Sequence, residues 1–165
     1  MAENTKEKKK HIVILWVENK PGVLSKISSL CRRRRYNIDS ITAGTSHQPG
    51  ITHITIVFTE LGVEIGQIVD QIDKLVEVIS IEALEPKDVI DKELLLLIVK
   101  NKQVADRLLK KSRHDVNVRV INTINGQPVL EIVGEGREID HVIAEVDMKK
   151  DVVKMVKSGL IALKI

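Results

Sequence analysis

The sequence predicts an α+β fold in which the order β-α-β-β-α-β runs twice along the chain. Short apolar runs rich in β-branched residues alternate with segments whose apolar residues recur at helical spacing. Turn residues mark the joins, notably Pro21-Gly22, Pro49-Gly50 and Asn125-Gly126. The two halves match in order and length with only slight sequence identity, so pattern is what repeats.

The first half opens with an apolar strand over residues 11–17. A helix over 23–34 carries Val23, Leu24, Ile27, Leu30 and Cys31 on one face. Arg32 to Arg35 close it as a solvated turn, placing positive charge at the negative end of the helix dipole. Strands over 36–45 and 51–59 flank the turn Ser46-His47-Gln48-Pro49-Gly50 and form an antiparallel hairpin. Ile54, Ile56 and Phe58 share one face of the second strand, His53 and Thr55 the other. Gly62 marks a loop, and a helix from about Glu64 to Leu75 leads to a strand over 78–84. This order is the split, ferredoxin-like arrangement.

Glu85-Pro86-Lys87-Asp88 breaks the pattern, and residues 85–91 read as a linker. The order then returns. A strand spans 93–100 and a helix 104–112. Strands over 117–122 and 128–134 form a hairpin about Asn125-Gly126. A helix covers 138–146, and β-rich runs fill 152–165. The expected organisation is a flexible tail over 1–10, a first domain over 11–84, and a second ferredoxin-like βαββαβ domain over 92–165. The first strand of each half is apolar on both faces, Ile12 to Val17 and Leu94 to Val99, and units this small bury only about 60% of their unfolded surface. A second copy of the chain is the economical cover, so a homodimer is expected.

Composition narrows the function. Aromatic residues are 2% of the chain, too few for a base-stacking platform, and a net charge of +3 is too small for a nucleic-acid footprint. No apolar stretch is long enough to span a membrane, and the polar first ten residues do not resemble a secretory signal. The single cysteine, Cys31, lies on an apolar helix face and reads as a structural thiol of a cytoplasmic protein. No phosphate loop, glycine fingerprint or nucleophile elbow is found. Of the five histidines, only His47 and His53 flank one hairpin, and two such ligands make a weak metal site. Neither a catalytic centre nor a metal site is expected.

The segment Glu18-Asn19-Lys20-Pro21-Gly22-Val23-Leu24 stands out, because a strand turning straight into a helix presents free backbone N–H groups that suit a carboxylate. The competing reading is structural: Asn19 as a helix cap, Pro21 in a first turn, Gly22 for packing. Asn37, at the start of the second strand, adds an amide that could reach a neighbouring ligand.

Residues 11–84 resemble an ACT domain, a small amino-acid-sensing module. The blocks Val17 to Leu24, Arg34 to Ile41 and Pro49 to Thr52 resemble, more narrowly, the regulatory small subunit of acetohydroxyacid (acetolactate) synthase. Residues 129–134 and the ending Ser158 to Leu163 fit the same family. The resemblance implies a non-catalytic regulatory subunit that activates the catalytic large subunit and confers feedback inhibition by valine or another branched-chain amino acid. It implies no cofactor in this chain, with thiamine diphosphate, a divalent metal and FAD held by the partner. It places the effector between two chains, on Asn19, Gly22, Val23 and Leu24 of one and on Asn37 and Ile38 of the other. Arg35, Cys31 and Gly44 depart from residues common in the family, which bears on the identity and strength of feedback. A free-standing amino-acid-sensing ACT regulator is the alternative.

Overall fold

The computed structural model describes residues 10–59 and 65–165. The expected tail, the loop at Gly62 and the start of a helix at Glu64 fall outside these residues, save Lys10. The chain divides into two compact units. Of the described residues, those up to 89 together with 162–165 form the first, and residues 90–161 the second.

In the first unit, β1 (Lys10–Glu18), α1 (Val23–Arg33), β2 (Ile38–Thr45), β3 (Ile51–Thr59), α2 (Ile65–Asp73) and β4 (Val78–Leu84) follow the expected order. The strands form an antiparallel sheet in the order β2-β3-β1-β4, leaving β2 and β4 as edges. Val13, Leu15 and Val17 of β1 join Ile54, Ile56 and Phe58 of β3 beneath Val23, Ile27 and Cys31 of α1 and Ile68 and Ile72 of α2. Burial pushes the Cys31 thiol up to about 11, so it is a small hydrophobe in chemistry as well as position. Ile12 and Ile14, on the other face of β1, are buried too. The last four residues group with this unit. The Ala162 N–H donates to Thr55 Oγ1 at 3.4 Å, and the Ile165 N–H donates to the Asp88 carbonyl at 3.1 Å.

The sequence places β2 from Tyr36, but the strand starts at Ile38, because the end of α1 uses the intervening residues. The Tyr36 N–H donates to the Cys31 carbonyl at 3.0 Å and the Arg35 N–H to the Arg32 carbonyl at 3.1 Å. Arg35 lies in the left-handed region at φ 60°. This is a Schellman closure with arginine where glycine is the usual occupant.

After a 3₁₀ turn at Pro86–Asp88, the second unit contains β5 (Val89–Val99), α3 (Lys102–Leu109), β6 (Val116–Ile124), β7 (Gln127–Gly134), α4 (Gly136–Ala144) and β8 (Val152–Lys157). A short β9 (Ile161–Lys164) ends the chain. Strand order is β6-β7-β5-β8, the counterpart of the first sheet. Asn125 at φ 51° and Gly126 at φ 77° form the tight hairpin turn that their types predict. β5 starts four residues before Glu93. Its core face is Leu95, Leu97 and Val99, while Leu96 on the opposite face is 38% exposed. α4 starts at Gly136, whose N–H donates to Asp91 Oδ2 at 2.8 Å. Nearby, Lys157 Nζ lies 2.7 Å from both Glu93 and Asp140. Burial alone would pull this ammonium down, but the bonds from Asp140 and Glu93 outweigh it and raise its pKa. No helix among the described residues is long and apolar enough to cross a membrane.

Candidate functional site

The turn between β1 and α1 is held by the main chain. The Glu18 N–H donates to the Glu77 carbonyl at 2.9 Å and the Asn19 N–H to the Gly50 carbonyl at 2.8 Å. The turn is thus pinned to the start of β4 on one side and to the β2–β3 hairpin on the other. Lys26 in the first turn of α1 is paired with Glu77, and that contact holds the Glu77 carboxyl below its usual range. Lys20 lies 2.8 Å from Glu18.

Gly22 occupies the N-cap in the left-handed region at φ +89°, and no side chain caps the helix. A Cβ added at Gly22 meets nothing within 4 Å, so glycine is required by backbone conformation and not by packing. Asn19 stands three residues ahead of the cap, exposed, and its side chain is not the cap. The Val23 N–H makes a long bond of 3.5 Å to the Lys20 carbonyl. Among the described residues, the N–H groups of Leu24 and Ser25 have no acceptor. This helix start therefore offers donors at the positive end of a helix dipole, in an exposed turn.

The other predicted residues are distributed unevenly. The side chain of Val23 is buried in the core, Leu24 is 44% exposed, and Gly22 is exposed at the turn. Asn37 is exposed, with its Nδ2 donating to Asp39 Oδ1 at 3.3 Å, and Ile38 is half-buried against the core. Within one chain these two are remote from the turn. Ile38 pairs with Phe58, whereas Glu18 pairs with Ile51 at the opposite end of β3. Seven residues of strand separate the two levels, about 23 Å at the usual rise.

His53 packs edge-on to Trp16, with ring centroids 4.7 Å apart, and burial lowers its pKa. No group of three or more His, Cys, Asp or Glu among the described residues could hold a metal ion. The sequence gives no sign of the Lys26–Glu77 pair, since 51 positions separate its members.

Similarity to known proteins identifies the family. The family model for the AHAS small subunit-like ACT domain matches residues 13–80. The "Probable acetolactate synthase small subunit" of Methanothermobacter thermautotrophicus is 32% identical over 131 residues, spanning 79% of this chain and 78% of that protein. The chain belongs to the acetolactate synthase small-subunit family. A relative of the same name in Archaeoglobus fulgidus is 28% identical over 156 residues, 93% of this chain and 96% of its own. The crystal structure of the acetolactate synthase small subunit from Thermotoga maritima superposes with a TM-score of 0.80 at 30% identity, covering 95% of this chain and 98% of that one. The tandem ferredoxin-like fold with an ACT domain first is therefore the family architecture.

Proposed function

We propose that this chain is the non-catalytic regulatory subunit of acetohydroxyacid synthase. It raises the activity of the catalytic subunit, which holds the thiamine diphosphate, divalent metal and FAD, and it makes that activity sensitive to a branched-chain amino acid, valine foremost. The observation that carries the effector reading is the start of α1. Gly22 opens the helix without a side-chain cap, leaving Leu24 and Ser25 N–H groups for a carboxylate. Asn19 lies in the turn with its side chain exposed, and Leu24 offers an exposed aliphatic surface.

The effector site is shared between two copies. β2 is a sheet edge, and pairing two β2 edges about a two-fold axis runs them antiparallel. That pairing brings the partner's Asn37 and Ile38 to the Thr45 end of this chain's β2, the sheet end that carries the turn. A ligand held between two chains has different affinities for different placements of those chains, which is what regulation requires.

The test is to mix the chain with the catalytic subunit and follow acetolactate formation with and without valine. The wild type should raise the rate and valine should reduce it. Gly22→Asp should abolish the valine effect while the dimer and the stimulation persist, because it adds a carboxylate at the mouth of the site and strains a φ of +89°. Valine binding without any effect on acetolactate formation would instead assign the chain to free-standing sensing.

A further inference from the structure

The end of α1 opposite the effector turn carries a dense run of positive charge. Arg32, Arg33, Arg34 and Arg35 are consecutive and exposed. Among the described residues, none of their guanidinium groups has an ion-pair or hydrogen-bond partner. Three of the four described arginines elsewhere are paired: Arg107 meets Asp151, Arg119 meets Glu131, and Arg137 lies beside Glu135, while Arg113 has no ion pair among the described residues. Four consecutive arginines without a partner among the described residues set the α1 terminus apart from these isolated positions.

Backbone conformation adds an independent observation. Arg35 is one of two non-glycine residues with positive φ among the described residues. The other is Asn125, whose short side chain tolerates that region well. Glycine would close α1 without strain, so the chain bears a conformational cost to hold a guanidinium at this point. A strained residue that the fold does not need points to use.

The cluster borders a groove of about 260 Å³ between the end of α1 and the outer side of α2, lined by Arg34, Tyr36, Gln67, Asp70, Gln71 and Lys74. This lining suits polypeptide better than nucleic acid. Gln67 and Gln71 offer amide donors and acceptors that match a peptide backbone. With an overall net charge of only +3, the basicity is local, as a local acidic counterpart requires.

We infer that the Arg32–Arg35 cluster and the adjoining α2 groove form the docking surface for an acidic segment of a protein partner. Resting on the function proposed above, that partner is the catalytic subunit. α1 then carries the effector turn at its first residue and the docking cations at its last, about 16 Å apart for eleven residues. A shift of this one rigid helix on effector binding moves the docking cations directly.

The experiment measures association of the full-length chain with the catalytic subunit by surface plasmon resonance from 50 to 500 mM NaCl. The wild type is compared with Arg34→Glu/Arg35→Glu and with Arg35→Gly, and valine binding to the small subunit alone is measured in parallel. The charge reversal should slow association, measured without valine, by about tenfold or more at low salt and flatten its salt dependence, whatever its effect on valine affinity. Arg35→Gly should raise the melting temperature yet slow association, a pairing that a purely structural role for Arg35 would not produce. Wild-type binding with both variants unaffected overturns this inference alone. A wild-type chain that does not bind the catalytic subunit overturns it together with the proposed function. Arginine-dependent binding of a 20-nucleotide DNA probe, with catalytic-subunit binding unchanged in the variants, would also overturn it.

Discussion

The two units solve the same local problem in opposite ways. In each, a central strand runs into the first helix. At the β5–α3 join, Asn101 sits in extended conformation at the N-cap and its Oδ1 accepts from the Val104 N–H at 3.1 Å. That helix start is closed by its own sequence. At the β1–α1 join the cap is Gly22, and among the described residues no side chain caps the helix and the Leu24 and Ser25 N–H groups have no acceptor. Topology is shared, so topology does not make a ligand site. The difference lies in one cap residue and in the backbone region it can occupy.

The largest effects should come from the two cores. Ile27→Ala in the first unit and Leu130→Ala in the second remove residues with no exposure, and each should cost about 2–5 kcal/mol. Hydrogen exchange resolves the loss unit by unit. A loss below about 1 kcal/mol in either unit would show a core that tolerates the gap, and the equivalence of the two scaffolds would fail. The cap contrast is tested next. Asn101→Ala should lower stability by about 1 kcal/mol, whereas Asn19→Ala should stay within about 0.5 kcal/mol and act on valine binding instead. Equal costs in chemical denaturation would make both asparagines structural and erase the distinction.

The smallest effect is in pH. His53 is held below its ordinary pKa by burial, so the unfolded chain takes up its proton more readily than the folded one. Stability should be full above about pH 6.5 and fall as pH drops through that value. His53→Gln should flatten that part of a denaturation series. In the second unit the side chains of His114 and His141 are 100% and 63% exposed. Acid sensitivity that survives in His53→Gln between pH 7 and 5 would have to come from elsewhere.

The elements were legible where their ends carry turn chemistry. β3 and β4 begin and end where alternation meets Gly50 and Glu85-Pro86. The start of β2 was obscured because Arg35 takes a conformation that the sequence signals only through glycine. The start of β5 was obscured because Asp91 and Lys92 interrupt its apolar run, and residues through Asp91 read as linker. Of the candidate site, Pro21-Gly22 announces the turn, and the structure sharpens glycine's reason from packing to φ. The Lys26–Glu77 pair and the Asn19-to-Gly50 bond were invisible, since both join positions far apart in the chain.

Cys31 offers a built-in clock. It is the only thiol in the chain, 1% exposed on the buried face of α1, with its pKa pushed up to about 11. An alkylating reagent can reach it only when α1 lifts from the sheet. The rate of labelling by iodoacetamide therefore times that opening in the unmodified protein, and slower labelling in the presence of valine would register, at a buried sulfur, an amino acid bound at the helix start.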